Sequence, residues 1–221
     1  MYRGSTKEHS DPLMRTYLED LIYRLSETSE VRDRRFEFII LEDKTINAFA
    51  APGGIIGINL GMFLNTEREG ELASVMCHEL AHLSQRHFAR SQNRNSPLAN
   101  ALMILGSIAV AAASRNPEAI LIAPAAMQQM SINYTRSNEK EADRIGFNNL
   151  VKAGFDPNDM TMMFQRMQDK YQNEDSEQFS YLMTHPLPSE RLTDMRIRSD
   201  GLKNGLKNTY RDNMDFYLMQ K

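Results

Sequence analysis

The chain has 221 residues and a formal net charge of −3 at pH 7, from 26 basic and 29 acidic side chains. This length can bury a sizeable core, and we expect residues 1–221 to form one domain. Lysine and arginine are scattered and form no basic stripe with interleaved aromatic residues, which argues against a nucleic-acid partner. The only cysteine, Cys77, excludes an internal disulfide framework but leaves the cellular compartment open.

The hydrophobic pattern predicts mostly helices. Helically spaced leucines after Asp11 predict a first helix. Residues 36–41 are typical of a strand, and two further short β runs follow, one on each side of the turn-like segment 52–54. Thr66 and Glu69 form a capping-box pattern that begins a histidine-rich helix. Further helices are predicted at residues 127–153, from 155 onwards and after the proline-broken loop 184–188. The predicted fold class is α+β, dominated by helices, with a small sheet before the histidine helix.

Two segments bear on the location of the protein. Residues 1–13 contain no apolar segment of the kind that a secretory signal needs, so we expect either a cytoplasmic protein or a mature or trimmed form. Residues 98–114 form a run of 17 residues without a charge, which is at the lower limit for crossing a bilayer. The sequence favours a buried or interfacial helix there, with a membrane-spanning helix as the alternative.

The histidine helix contains the run His78-Glu79-Leu80-Ala81-His82. Residues four apart lie on one face of a helix, so both imidazoles can point at a single ion. Glu79 lies about 100° around the helix from His78, where it can hold a water without binding the ion itself. This is the geometry of the H-E-x-x-H zinc motif. His87 lies about 180° around the same helix from His78 and is predicted to be a surface residue.

A catalytic zinc usually has three protein ligands and one position for water, so a third ligand has to come from another segment. The second long helix offers Glu139, Glu141 and Asp143. Glu139 and Asp143 are again four apart, which suits Glu139 to complete the zinc sphere while Asp143 accepts the N–H of a ligating histidine. From the residues alone, a solvated acidic helix face is the alternative interpretation.

Four motifs, "NAFAAPGG", "HELAH", "TRSNEKEAD" and "HPLPSER", occur in this order. Together they resemble the metallopeptidase family of the CAAX prenyl proteases and HtpX, most closely its soluble periplasmic members. The resemblance implies a minigluzincin-like fold with one zinc ion per chain. In that family pattern His78, His82 and Glu139 hold the zinc, Glu79 is the catalytic base and Asp143 orients a ligand. The choice of Glu139 over Glu141 rests on the resemblance and on the pairing with Asp143.

The same resemblance implies a zinc-dependent endopeptidase of the periplasm that cleaves misfolded or stalled envelope proteins. One alternative is a membrane-embedded protease anchored by residues 98–114. Even without an anchor, we expect these residues to form a lid or a peripheral membrane contact beside the site. Another alternative is a zinc-stabilised chaperone or adaptor without enzymatic activity. A structural zinc site prefers four Cys or His ligands and has no use for Glu79, which argues against the second alternative.

Substrate contacts are predicted in the strand before the turn at 52–54. An edge strand there would pair with an extended substrate through the main chain, whereas a plain half-buried strand is the alternative. The predicted substrate-binding residues are Asn47, Ala48, Phe49 and Ala50. A second group is needed to stabilise the oxyanion of the tetrahedral intermediate. The candidates are Tyr134, Arg136, His185 and Arg191.

His185 is the most specific prediction. A lone loop histidine is usually solvated, but the two prolines that follow it closely would stiffen this loop. A neutral imidazole there would enter the fourth position of the zinc and displace the water, leaving the enzyme latent. Swung away from the ion, the same ring would donate to the oxyanion. Between these roles we favour the plug.

Overall fold

The structure is a computed structural model that describes residues 7–94, 119–173, 180–202 and 213–220. Three strands lie in this part of the chain: β1 (Glu37–Leu41), β2 (Ala48–Ala51) and β3 (Ile55–Asn59). The helices that it contains are α1 (Pro12–Thr28), α2 (Leu60–Leu64), α3 (Glu69–Ser84), α4 (His87–Arg94), α5 (Ala119–Lys152), α6 (Asn158–Asn173), α7 (Ser180–Thr184), α8 (Ser189–Leu202) and α9 (Met214–Leu218). The predicted α+β class, with a small sheet before the histidine helix, is confirmed.

Helix α1 begins where the sequence predicts. The side chain of Asp11 caps the helix by accepting a hydrogen bond of 2.8 Å from the Leu13 N–H. Pro12 occupies the first turn, where its missing N–H has no helical partner in any case. The inner face of α1 is buried against the rest of the core through Leu18, Leu21, Ile22 and Leu25.

The sheet has the order β1-β3-β2, so that β2 forms one edge among the described strands. Strand β3 runs parallel to β1 and antiparallel to β2. Gly53 and Gly54 have φ values of 94° and 84°, which allow the tight turn between β2 and β3. In the register of β2 and β3, Phe49 lies opposite Gly57. A Cβ on Gly57 would come within 2.1 Å of the Phe49 ring, so the missing side chain makes room for that ring.

Helix α3 begins at Glu69, so the predicted capping box of Thr66 and Glu69 is wrong. Thr66 instead donates to main-chain carbonyls at the end of α2. The capping role falls to Glu71, which accepts the Glu67 N–H at 2.7 Å and is buried. Arg166 on α6 donates to the same carboxylate at 3.0 Å and neutralises it. The ion pair between Arg166 and Glu71 therefore fixes the first turn of α3, in place of the Thr66–Glu69 pattern that the local sequence predicts.

Helices α3 and α5 approach each other backbone to backbone. A Cβ atom added to Gly146 would lie 3.0 Å from the backbone nitrogen of His78 and 3.1 Å from the carbonyl carbon of Cys77. Near the same crossing, Asn149 donates to Cys77 Sγ at 3.4 Å and accepts from Thr28 Oγ1 at 2.7 Å. Asn149 therefore connects α1 and α3 to α5. The Cys77 thiol is buried at this crossing, and burial raises its pKa.

The remaining described helices close the core around this pair. Helix α5 starts before the predicted residue 127 and ends as predicted before Gly154, whose φ is 87°. Helix α6 contributes buried methionines, in agreement with the flexible thioether side chain as a core filler. They are Met160, Met163 and Met167.

The uncharged segment 98–114 lies outside the described residues, so its predicted roles as lid, anchor or membrane contact stay predictions. Among the helices that are described, we find none with the length and hydropathy that a bilayer crossing requires.

The close approach at Gly146 makes a stability prediction. In the Gly146→Val variant the side chain would push α5 away from His78 and Cys77, and overpacking of this kind costs about 1–3 kcal/mol of unfolding free energy. Denaturant unfolding of the metal-free protein measures this loss. The Gly201→Ala variant is the control, because a Cβ there meets nothing within 4 Å. It should be neutral or gain up to about 1 kcal/mol from helix propensity. Equal stability of wild type and Gly146→Val would contradict the predicted contact.

Candidate active site

Helices α3 and α5 and the start of the loop after α7 bring four side chains together. His78 Nε2 and His82 Nε2 are 2.9 Å apart. Glu139 reaches both, with Oε2 3.4 Å from His78 Nε2 and Oε1 3.3 Å from His82 Nε2. His185 Nδ1 lies 3.1 Å from Glu139 Oε1. One ligand atom from each of the four residues falls within 4.8 Å of the others.

The spacing of these atoms fits a metal ion. Tetrahedral zinc with bonds of about 2.0–2.1 Å places its ligand atoms about 3.3 Å apart. Four of the contacts in the cluster measure 2.9–3.4 Å, and all four ligand atoms lie within 4.8 Å of one another. Imidazole and carboxylate are ligands that zinc accepts, and three imidazoles with one carboxylate would leave a charge of about +1 on the bound site. The donor set and the spacing of these side chains therefore suit a divalent ion such as zinc.

Asp143 and Arg191 support the cluster from the side of α5. Asp143 Oδ1 lies 3.0 Å from His78 Nδ1. Arg191 on α8 binds Asp143 with two hydrogen bonds of 2.6 and 2.7 Å, and its Nη1 lies 2.9 Å from Glu139 Oε2. Burial by itself would lower the pKa of His78, but the nearby carboxylates of Asp143 and Glu139 favour its charged form and raise that pKa to about 9. Burial would likewise raise the pKa of Asp143, but the bond to Arg191 holds it below its ordinary value.

Glu79 is buried and faces the cluster from α3. Its Oε1 has no hydrogen-bond partner among the described residues, and the Nε2 atom of His185 lies 3.6 Å away. A buried carboxylate oxygen without a partner is costly for a fold, so such an atom is a candidate for a functional role. Glu79 thus lies beside the ligand atoms of the cluster but is not one of them.

The structure brings His185 into the cluster and does not leave it solvated. Its side chain is 11% exposed and its ring stacks on Tyr181, with centroids 4.5 Å apart. The backbone N–H of His185 donates a hydrogen bond of 2.8 Å to the backbone carbonyl of Tyr181. Arg191 Nη1 donates to the carbonyl of Pro186 at 2.6 Å. The loop is therefore held from both sides, by α7 and α8.

An open cleft of about 1910 Å³ runs past these residues. Glu79, His82, Glu139 and His185 line it, and so do Asn47, Phe49 and Ala50. Ala48, the first residue of β2, is fully buried and is not among the residues that line the cleft. The edge strand β2 thus lies along the same cleft as the cluster, and the predicted substrate contacts stay a prediction.

The predicted oxyanion donors differ in where they lie. The side chain of Tyr134 is outside the described part of the structure, whose side chains on α5 begin at Thr135. Arg136 is exposed and lines a small cavity beside Pro186. Arg191 uses its donors on Asp143, Glu139 and the loop, which argues against the oxyanion role for this residue. His185 is the candidate nearest to Glu79 among those described.

His87 is buried, with 4% exposure, and the prediction of a surface residue is wrong. Its Nδ1 lies 2.8 Å from His82 Nδ1 and its Nε2 lies 3.0 Å from Glu141 Oε2. Helix α3 ends at Ser84, and Arg86 has a φ of 53° that turns the chain back towards the cluster. The rotation of about 180° between His78 and His87 holds only for a continuous helix, and α3 ends before His87. No glycine marks this turn, so the sequence carried little signal for it.

The geometry predicts different effects for two neighbouring glutamates. Glu139→Ala should lose stoichiometric zinc, because its carboxylate reaches both Nε2 atoms. Glu141→Ala should still bind one equivalent at saturating zinc, since Glu141 contacts His87 and no ligand atom of the cluster. Zinc content after gel filtration, measured by inductively coupled plasma mass spectrometry, distinguishes the two. Loss of zinc in Glu141→Ala together with retention in Glu139→Ala would show that the wrong carboxylate was chosen.

Comparison with known proteins adds independent information. A β-barrel assembly-enhancing protease of Yersinia pestis is 39% identical over 210 residues, which is 91% of this chain and 42% of that protein. A relative from Vibrio cholerae described in similar words is 44% identical over 204 residues, covering 90% of this chain and 42% of its own length. The mitochondrial metalloendopeptidase OMA1 of Schizosaccharomyces pombe is 27% identical over 197 residues, covering 86% and 56%. The chain thus spans less than half the length of the two bacterial relatives.

A family model described as peptidase family M48 matches residues 12–199, which is most of the chain. This match confirms the predicted resemblance, and the relatives carry the names of the predicted class of enzyme: protease for the two bacterial proteins and metalloendopeptidase for OMA1. The chain belongs to peptidase family M48.

Proposed function

We propose that residues 1–221 form one zinc endopeptidase domain that hydrolyses peptide bonds in extended protein segments. One observation carries this proposal. The buried carboxylate of Glu79, whose Oε1 has no hydrogen-bond partner in the part of the chain that the structure describes, lies beside a compact set of metal-ligand atoms at the wall of an open cleft. This arrangement supplies a base, a metal site and access for substrate in one place.

The proposed ligands are His78, His82 and Glu139, for one ion per chain. Asp143 would hold His78 with Nε2 directed at the ion, and Arg191 would keep Asp143 in place. When bound, zinc supplies an acidified water and polarises the scissile carbonyl. Glu79 would take the proton from the attacking water and deliver it to the leaving amine. Its burial at 1% exposure keeps the carboxylate away from bulk water.

The proposed substrate is an unfolded or misassembled segment. Strand β2 has no strand partner on its outer side among the described residues, and it borders the cleft. An extended chain would pair with the main chain of residues 47–50 by β-addition. Two of the relatives are named for enhancing the assembly of β-barrels. We infer that the substrates are misfolded or stalled envelope proteins and that the domain works in the periplasm.

We propose that His185 keeps the domain latent by occupying the fourth ligand position. Support comes from its ligand atom within the cluster and from the loop held by Tyr181 and Arg191. Activation would require this ring to leave the cluster. In its position within the cluster the His185 Nε2 atom lies 3.6 Å from Glu79 Oε1, so a ring that left the metal but stayed beside Glu79 would donate to the oxyanion.

The Glu79→Gln variant tests the base. Removing the base should lower cleavage of an unfolded fluorescent protein substrate by at least about 10²–10⁴-fold. Zinc content should stay at one equivalent, because Glu79 is not a proposed ligand. Glu19→Gln on the surface of α1, where Glu19 pairs with Arg15, is the matched control and should keep full activity. Undiminished cleavage by Glu79→Gln would rule out this mechanism.

The His185→Ala variant separates the two roles of that residue. As a plug, His185 suppresses activity, so its removal should raise cleavage and self-cleavage. As an oxyanion donor, its removal should lower cleavage by about 10²–10³-fold. His9→Ala, which removes a histidine that contacts Glu42 outside the site, is the control. Identical kinetics of His185→Ala and wild type would discard both roles.

A further inference from the structure

His87 and Glu141 form a chain of contacts that ends on a proposed metal ligand. His87 Nδ1 lies 2.8 Å from His82 Nδ1, and His87 Nε2 lies 3.0 Å from Glu141 Oε2. Arg90 Nη1 donates to the same Glu141 oxygen at 3.1 Å. The His87 side chain is 4% exposed, while Glu141 and Arg90 are partly open to solvent. The interaction with His82 is therefore shielded from competing water.

The order of donors and acceptors along this chain follows from the carboxylate at its end. A carboxylate of Glu141 only accepts, so His87 carries its proton on Nε2 and donates it. The other nitrogen of a neutral His87 then has a lone pair and accepts from His82 Nδ1–H. His82 in turn keeps the lone pair of Nε2, the atom that faces Glu139 and His78. Every donor in the chain meets an acceptor in this one arrangement.

We propose that His87 and Glu141 are positioning residues that lock His82 in the tautomer with the proton on Nδ1 and aim its Nε2 at the metal. This inference rests on the metal site of the proposed function. It gives Glu141 a role although it is not a ligand. It also explains why the chain turns back at Arg86, since that turn is what brings His87 under His82.

The two histidine ligands are thus held in different ways. His78 Nδ1 lies directly beside a carboxylate, Asp143, at 3.0 Å. For His82 an imidazole lies between the ligand and its carboxylate. Glu139 and Glu141 are two residues apart on α5 and have different contacts. Glu139 lies in the cluster, whereas Glu141 binds His87 at the far end of the chain of contacts.

Zinc affinity, measured by competition with a chromophoric chelator, tests the inference. His87→Phe fills similar space but can neither accept a hydrogen bond from His82 nor donate one to Glu141, and the affinity of this variant for Zn²⁺ should fall by about 10–100-fold. His87→Gln offers a carbonyl oxygen to His82 and an N–H to Glu141, and should recover most of the affinity. Glu141→Gln, at a partly exposed position that should not disturb folding, is expected to lose about tenfold. Glu42→Gln, which alters a histidine–glutamate contact elsewhere, should bind as the wild type does.

Nitrogen-15 NMR of the zinc-loaded, histidine-labelled wild type gives a readout that packing alone would not move. We expect the proton of His82 on Nδ1 and the proton of His87 on Nε2. A proton on His87 Nδ1, or equal losses of affinity in His87→Phe and His87→Gln, would overturn the proposal. Full affinity in both His87→Phe and Glu141→Gln would overturn it as well. If the wild type itself binds no zinc, the proposed function fails and this inference with it. Zinc-binding wild type with unaffected variants disproves the positioning role alone.

Discussion

The backbone contact between helices α3 and α5 sets the geometry of everything around it. Gly146 lets the two helices meet at Cys77 and His78, because a Cβ atom at this position would lie only 3.0 Å from the backbone nitrogen of His78. One turn before that contact on α5 lies Asp143, and one turn further back lies Glu139. Both carboxylates therefore face the histidines of α3. A larger side chain at this crossing would separate the proposed ligands without changing any of them.

The same crossing concentrates buried charge, which a fold tolerates only when it is compensated. Two carboxylates, Glu139 and Asp143, are buried beside Arg191, whose guanidinium contacts both. Removing one partner of such a buried pair costs about 3–5 kcal/mol, so Arg191 contributes to stability as well as to the position of the site. Because Arg191 also binds the carbonyl of Pro186, the loop that carries His185 depends on it too. We propose that metal binding, folding and latency share this one side chain.

The local parts of the site could be predicted from the sequence, and the long-range parts could not. The spacing of His78 and His82, and of Glu139 and Asp143, translates directly into one helix face. His87 was misplaced because α3 ends before it, and the residue with φ of 53° is an arginine, which is not a usual signal for such a turn. The predicted capping box failed for a similar reason: Glu69 is bonded to Tyr17 Oη at 2.9 Å, across 52 residues of sequence. Contacts between distant segments overrode both local patterns.

We propose that His78, His82, Glu139 and His185 surround one metal ion. X-ray absorption at the zinc edge of the zinc-loaded wild type tests this most directly, because it reports the number and type of ligand atoms. We expect one zinc per chain with four nitrogen or oxygen ligands at about 2.0–2.1 Å, and the multiple-scattering signature of three imidazoles. The His185→Ala variant should show two imidazoles. A sulfur ligand, six oxygen ligands, or an unchanged spectrum in the variant would contradict the claim.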